Sequence, residues 1–209
     1  MGIFFKAKKS GQDDDEEIKE LPDDTVLAFK AAKGDEASFE ILVRKYERFV
    51  STCVYQVVGN SEDTMDVSQE VFLKVYRSLS TFKGDSSFSS WLFRVAKNCA
   101  YDFVRKKKLP SVSIDSTENE EGSAPEIPDT DIKSRPEDLA LRNERHELLW
   151  KAMKQLSDEH REVITLRDIN GYTYERIAEM LELEPGTVKS RLFRARESLR
   201  KLLSKENYF

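Results

Sequence analysis

Cysteine is scarce: only Cys53 and Cys99 occur, far apart and without a CxxC pattern. That spacing argues against a disulfide framework or a cysteine-built metal site, and buried structural thiols are expected. The two histidines, His146 and His160, lie in charged helical runs. They read as surface or packed side chains rather than ligands. No apolar run approaches the roughly 20 residues of a membrane span, so no direct membrane insertion is expected. The opening "MGIFFKAKK" sets a very short apolar patch ahead of its lysines. This is the wrong order and length for a secretory signal, and a cytoplasmic protein is expected. The eight glycines are scattered as punctuation. They form no phosphate-cradling loop, and neither HExxH nor GxSxG occurs. The expectation is therefore no catalytic residue, no metal, no cofactor and no small-molecule substrate.

Strands are lacking as well, since no run alternates long enough to make one. What is present is helical spacing. In "SFEILVRKYERFVSTCVYQVVGN" the apolar residues Phe39, Leu42, Val43, Tyr46, Phe49, Val50, Cys53, Val54 and Val57 repeat at i, i+3, i+4. Gly59-Asn60 ends that run. A shorter helix precedes it, with Asp24 as its cap and Gly34 as its stop. Val67, Val71, Val75 and Leu79 form one stripe in the next run. Phe88, Leu92, Val95, Cys99 and Phe103 form another in "FSSWLFRVAKNCAYDFVRKKK". Later, Pro136 suits a first helical position. A helix follows with Leu148, Leu149, Ala152, Met153 and Leu156 apolar. Another starts at a Ser157 cap and runs to Gly171. The fold class is all-α.

Charge divides the chain where periodicity does. The chain is net −5, but residues 1–24 and 110–138 are strongly acidic, whereas 25–109 and 139–209 are each mildly basic. Residues 1–23 read as a disordered acidic extension and 110–135, rich in Ser, Pro, Asp and Glu, as a flexible acidic linker. Two small helical domains, 24–109 and 136–209, remain.

The end of the second domain carries the chemistry. In "GYTYERIAEMLELEPGTVKSRLFRAR", Thr173 caps a helix whose stripe is Ile177, Ala178 and Leu181. "LEPG" breaks the chain, and Pro185 starts a second helix with Val188, Leu192, Ala195, Leu199 and Leu202 inward. From Thr187 to Lys205 there are seven basic residues and one acidic, Glu197. Two crossed helices, a short turn and a basic second helix are the helix-turn-helix pattern. A solvated basic face is the bland alternative. It would carry acidic i+4 partners, which are lacking here. The first turns, with Thr187, Lys189, Ser190, Phe193 and Arg194, suit a major groove. Arg191, Arg196 and Arg200 suit phosphates.

That stretch, and "PGTVKSRLFRAR" within it, closely resembles the −35-reading domain of bacterial sigma-70-family factors, above all the small extracytoplasmic-function (ECF) group. "DVSQEVFLKVYRSLSTFKGDSSFSSWLFRVAKNCAYDFVR" independently resembles the family's polymerase-binding, −10-reading domain. The two likenesses stand in the right order and cover about residues 24–205. The resemblance implies a sigma factor whose partners are core RNA polymerase (clamp helices and flap), promoter DNA and an anti-sigma factor. It assigns −35 contacts to Pro185, Gly186, Thr187, Lys189, Ser190, Arg191, Phe193, Arg194 and Arg196. It assigns −10 capture to Phe82, Lys83, Trp91, Arg94, Lys97, Asn98 and Arg105, with Phe93 and Tyr101 as further rings. Single-strand capture needs aromatic platforms and positive charge. Asp66, Gln69, Glu70 and Phe72 would dock on polymerase, Phe72 because it sits off the apolar stripe.

The linker would thread the RNA exit channel. Drawn out, it spans about 85–90 Å, against about 70 Å between promoter elements two turns apart. The sequence departs from the family pattern at Glu184, where a small polar cap is usual, at Lys189 and in residues 1–23. An independent helix-turn-helix regulator and a purely protein-binding helical adaptor stay open as rivals.

Overall fold

The computed structural model describes residues 23–108 and 136–205, with side chains over 23–107 and 145–204. The expected extension, but for Asp23, and the expected linker lie outside the described residues. Those described form eight α-helices and no strand. They are α1 (Asp24–Ala32), α2 (Glu36–Val58), α3 (Ser61–Ser78), α4 (Phe88–Lys108), α5 (Pro136–Lys154), α6 (Asp158–Ile164), α7 (Tyr174–Leu181) and α8 (Pro185–Lys205).

Local chemistry sets most boundaries. Gly59 ends α2 at φ +87°, a left-handed geometry that glycine adopts without strain. Asn60, Ser157 and Thr173 each accept a first-turn N–H through the side chain. The cap of α1 is Asp23, which accepts from the Thr25 N–H at 2.7 Å. Asp24, expected in that role, is instead the first helical residue. Its carboxylate accepts from Lys45 at 2.6 Å and from the Tyr46 hydroxyl at 2.7 Å, tying α1 to α2. The helix expected from Ser157 to Gly171 does not stay α-helical. After Ile164 it widens to a π turn, Thr165–Ile169. The Asn170 N–H and its side-chain amide both donate to the Thr165 carbonyl, at 3.0 and 2.9 Å, and this double bond to one oxygen closes the wide turn.

The stripes find their partners. Leu42, Tyr46, Phe49 and Val50 of α2 pack with Val67, Val71 and Val75 of α3 and with Phe88, Leu92 and Ala96 of α4. This core does not stop at the first four helices. Leu166, Ile177, Ala178, Met180 and Val188 belong to the same cluster. A second cluster, around Trp150, Met153, Val163 and Leu192, takes in Tyr55 from α2. The two helical sets are therefore packed against each other. α2 is buried on both sides, because Thr52, Tyr55 and Gln56, off its apolar stripe, are also covered. Cys53 and Cys99 are both free and buried, and burial pushes both thiols above their usual range.

Trp150 anchors α5. Its ring meets Tyr55 edge-on at 4.8 Å, and its indole N–H donates to His146 Nε2 at 2.9 Å. Burial holds the His146 pKa below the ordinary value, with nearby Glu147 opposing. A base whose folded pKa is lowered contributes stability that is complete above about pH 6.5 and is lost as pH falls through the folded pKa. Protonation also removes the acceptor that Trp150 uses. The urea midpoint of the protein is expected to fall between pH 7.5 and 5. His146→Gln, which keeps an acceptor and does not titrate, should show a smaller fall. An equal fall in both proteins would place the acid sensitivity elsewhere.

Candidate nucleic-acid interface

The turn between α7 and α8 is made by Glu182, which takes φ +55° as the only non-glycine left-handed residue among those described. Its N–H bonds back to the Ala178 carbonyl, closing α7. Gly186, inside "LEPG", is helical and does not make the break. The Glu184 carbonyl then accepts from Thr187 and Val188 at 2.9 and 3.1 Å and opens α8. Val188, Leu192 and Ala195 are buried, which rotates the opposite side of α8 outward.

That outward side holds most of the expected −35 residues. Pro185, Gly186, Thr187, Lys189, Ser190, Phe193, Arg194 and Arg196 are all exposed, Phe193 at 71%. Lys189 and Arg194 have no side-chain partner among the described residues. The expected absence of acidic partners fails for three others: Lys201 reaches Glu197, four residues before it, at 3.2 Å, and two arginines find acids outside α8. Arg196 forms a two-pronged ion pair with Asp168 of the π turn, and Arg191, half-buried, lies 3.4 Å from Glu159 of α6. These acids are distant in sequence, so the i+4 rule does not see them. The Asp168 bond raises the Arg196 pKa. Both arginines are positioned against the body of the domain, and Lys189, Phe193 and Arg194 make the open face.

The second expected face is on α4 and the loop before it. Lys83, Asn98 and Arg105 are exposed, although Arg105 reaches Asp102 at 2.7 Å. The rings divide differently from expectation. Phe82 is 4% exposed and Phe93 1%, so neither is an available platform. Phe82 is locked among Phe29, Phe88 and Trp91 at centroid distances of 5.6–5.8 Å. Apolar burial of this size outweighs display to solvent. Trp91 is half-buried over that cluster, and Tyr101 is on the rim at 36% exposure.

Two cations of α4, Lys97 and Arg94, have partners from the second helical set, whereas Lys107 pairs with Asp63 of α3 at 2.7 Å. Lys97 Nζ lies 2.5 Å from Glu162 Oε1 of α6, a carboxylate that is itself buried. Arg94 lies 3.6 Å from Glu182 and donates to Ser86 at 3.1 Å. The Tyr101 hydroxyl donates to Asp158 at 3.2 Å. Burial, followed by the negative charge of Asp158, pushes that phenol up to about 12. At the start of α4 the Ser87 N–H donates to Glu179 of α7 at 2.7 Å.

A third face lies on α3. Asp66, Gln69 and Glu70 are exposed as expected, but Phe72 is half-buried and packs on the core. The exposed apolar side chains here are Met65 at 61%, Leu73 at 57% and Tyr76 at 49%. They lie off the Val67–Val71–Val75 stripe, but so does Phe72, so that signal alone does not separate the exposed side chains from the half-buried one. Among the described residues no group of His, Cys, Asp and Glu could hold a metal ion, and no helix is long and apolar enough to cross a membrane.

Both helical sets resemble regions of known proteins. The family model for Sigma-70 region 2 matches residues 42–109, and that for Sigma-70, region 4 matches residues 146–199. The chain is 38% identical over 182 residues to the ECF RNA polymerase sigma-E factor of Escherichia coli K12, covering 84% of this chain and 92% of that protein. It is 36% identical over 181 residues to the RNA polymerase sigma-H factor of Pseudomonas aeruginosa, covering 86% and 93%. Among solved structures, CnrH in complex with the cytosolic domain of CnrY superposes with a TM-score of 0.63 at 26% identity, over 87% of this chain and 97% of that one. The sigma factor RpoE bound to the anti-sigma factor NepR, from Bartonella quintana, shares the fold at a TM-score of 0.55 and 23% identity, over 79% and 96%.

Proposed function

The chain belongs to the sigma-70 family, in its ECF group, and from that premise we propose how its parts divide the work of starting transcription. It is a sigma factor that binds core RNA polymerase and directs promoter-specific initiation. The observation that carries this is the presence, in order on one chain, of both family regions, each with a cationic helix. A stand-alone regulator would need only the second.

In this reading residues 136–209 form the −35 domain and dock on the polymerase flap. The open face of α8 lies in the major groove. Arg194 meets base edges, Lys189 adds a point charge in the groove, Thr187 and Ser190 add hydroxyls, and the exposed start of α8 at Pro185 and Gly186 lies against the backbone. Arg191 and Arg196 sit at the flanks, suited to phosphates once their acids yield. Residues 24–109 form the −10 domain. Trp91 is the platform for an unstacked base, with Asn98 beside it as donor and acceptor. Phe82 and Phe93 support that platform from beneath. Arg94, Lys97, Lys83 and Arg105 line the strand. The α3 face, with Asp66, Gln69 and Glu70 around Met65, Leu73 and Tyr76, suits the polymerase clamp helices. An apolar patch rimmed by acids fits a partner surface. Phe72 supports that face from within the core.

The factor has no chemistry of its own. Melting is driven by the binding energy of captured bases, without cofactor or small-molecule substrate. It works in the cytoplasm with the polymerase, under an anti-sigma partner of the kind the family uses. The test is transcription by purified protein and core polymerase on pooled genomic fragments. Discrete starts that require the protein are expected. Tight duplex binding without polymerase, and no starts with it, would favour the stand-alone regulator. Trp91→Ala is expected to lower open-complex formation at least tenfold and leave core binding within about twofold. Equal losses in both assays would show that Trp91 only holds the fold.

A further inference from the structure

The rings beneath the α4 face do not end at Trp91. Phe82, buried among them, meets Trp91 at 5.6 Å and Phe29 of α1 at 5.8 Å. Phe29 is 41% exposed, and Val26, one turn before it, 45%. The loop ahead of α4 holds Phe29 in place. Gly84 takes φ +80°, and a Cβ there would stand 3.1 Å from Phe29 Cζ, so the loop backbone lies directly against the tip of the ring. The same loop presents Lys83. Lys30 and Lys33 continue the Val26–Phe29 side of α1 at helical spacing. All three lysines are exposed, and none has an ion-pair partner among the described residues. Asp85 of the loop is exposed as well. A single exposed apolar side chain is ordinary. Here an exposed ring, a second apolar side chain and three open ammonium groups stand together, the combination of stacking surface and positive charge that a single strand requires.

We propose that Phe29 is a second stacking platform for the melted strand, which runs from α4 onto α1 with its phosphates along Lys30, Lys33 and Lys83. This rests on the reading of α4 as the strand-binding face. The two centroid distances put Phe29 within about 12 Å of Trp91, a gap that a strand crosses in about three or four nucleotides at the 3.4 Å stacked spacing. A protein is the weaker occupant. The lysines around the two apolar side chains favour a polyanion, and the rings make this face continuous with Trp91.

The experiment uses the full chain in complex with core polymerase, on a promoter found among the mapped starts, with 5-iodouracil placed at successive positions of the melted strand. Irradiation links this base to an aromatic side chain in contact with it. One position should link to the peptide that holds Trp91, and another, within about four nucleotides, to the peptide that holds Phe29. Phe29→Leu keeps an apolar side chain against Phe82 and Gly84 but removes the ring face. It should lower open-complex formation about tenfold, with core binding and the urea midpoint close to wild type. Links to Trp91 alone, or normal opening by Phe29→Leu, would overturn the second platform and leave the α4 face standing. Links to neither would sink both readings. Equal losses of opening and core binding in Phe29→Leu would assign the α1 face to polymerase instead and end the proposal.

Discussion

Replacing Arg161 by Ala is expected to cost about 2–4 kcal/mol of folding stability, the loss typical of breaking a buried hydrogen-bond network. The guanidinium of Arg161 donates to the carbonyls of Met153, Leu156 and Gln56 at 3.1, 2.9 and 2.8 Å, with a longer contact to Lys154 at 3.4 Å. Three of these carbonyls belong to the end of α5 and the turn after it, where helical donors run out, although the Met153 carbonyl also accepts the Leu156 N–H at 3.1 Å. The fourth, Gln56, is in the last turn of α2. One cation thus closes two helix C-termini, where positive charge is also favoured by the dipole. Alanine would leave the part-buried Leu156 and Gln56 oxygens to find water at the contact between the helical sets, while the Met153 oxygen keeps the Leu156 N–H. Arg161→Lys should recover only part of the loss, because an ammonium cannot reproduce a planar fork. Urea unfolding measures both. A loss under about 1 kcal/mol would mean that water replaces the fork at no cost.

Nothing in the sequence around "DEHREVI" distinguishes Arg161 from a solvated cation, and the reason is general to this chain. Periodicity reports which face of a helix is apolar, and it found the stripes of α2, α3, α4 and α8. It does not report a second, partly polar face covered from a distance. Thr52, Tyr55 and Gln56 are of that kind, buried by α5 and α6 across a long connection. The same blindness hid the pairing of Lys97 with Glu162 and of Arg196 with Asp168. Capping chemistry, by contrast, is local. Ser157 and Thr173 were legible because an N-cap needs only its own first turn. Asp23 and Asp24 are both good caps, so residue type alone could not choose between them. Aromatic residues were the hardest to place. Phe82, Trp91 and Phe93 stand in similar surroundings in sequence, yet only Trp91 keeps part of its ring in solvent. The family resemblance supplied what periodicity could not, namely that α4 and α8 serve one process. It did not supply the contacts of α4 with α6 and α7.

Replacing Arg194 by Ala is expected to weaken −35-dependent initiation by about 1–3 kcal/mol, roughly fivefold to 150-fold, the worth of one good base contact. The prediction is sharp because Arg194 is exposed and has no side-chain partner among the described residues, so its loss should leave the fold alone. Thermal unfolding should move by less than the scatter expected of a surface change, about 0.5 kcal/mol. Arg196 makes the contrast. Its ion pair with Asp168 means that Arg196→Ala should disturb the packing of α8 on the π turn and weaken phosphate contacts without changing promoter choice. Lys189 lies between them in character. An ammonium is a point charge, so Lys189→Ala should lower affinity for many sequences alike and reduce the salt slope by about one ion. Mapping starts on pooled fragments with each variant separates the three. Arg194→Ala should change which promoters are used, and Lys189→Ala should change how strongly all are used. If Arg194→Ala left both promoter choice and strength intact, the open face of α8 would not be the surface that reads −35 duplex. The basic helix would then serve polymerase or another acidic partner instead.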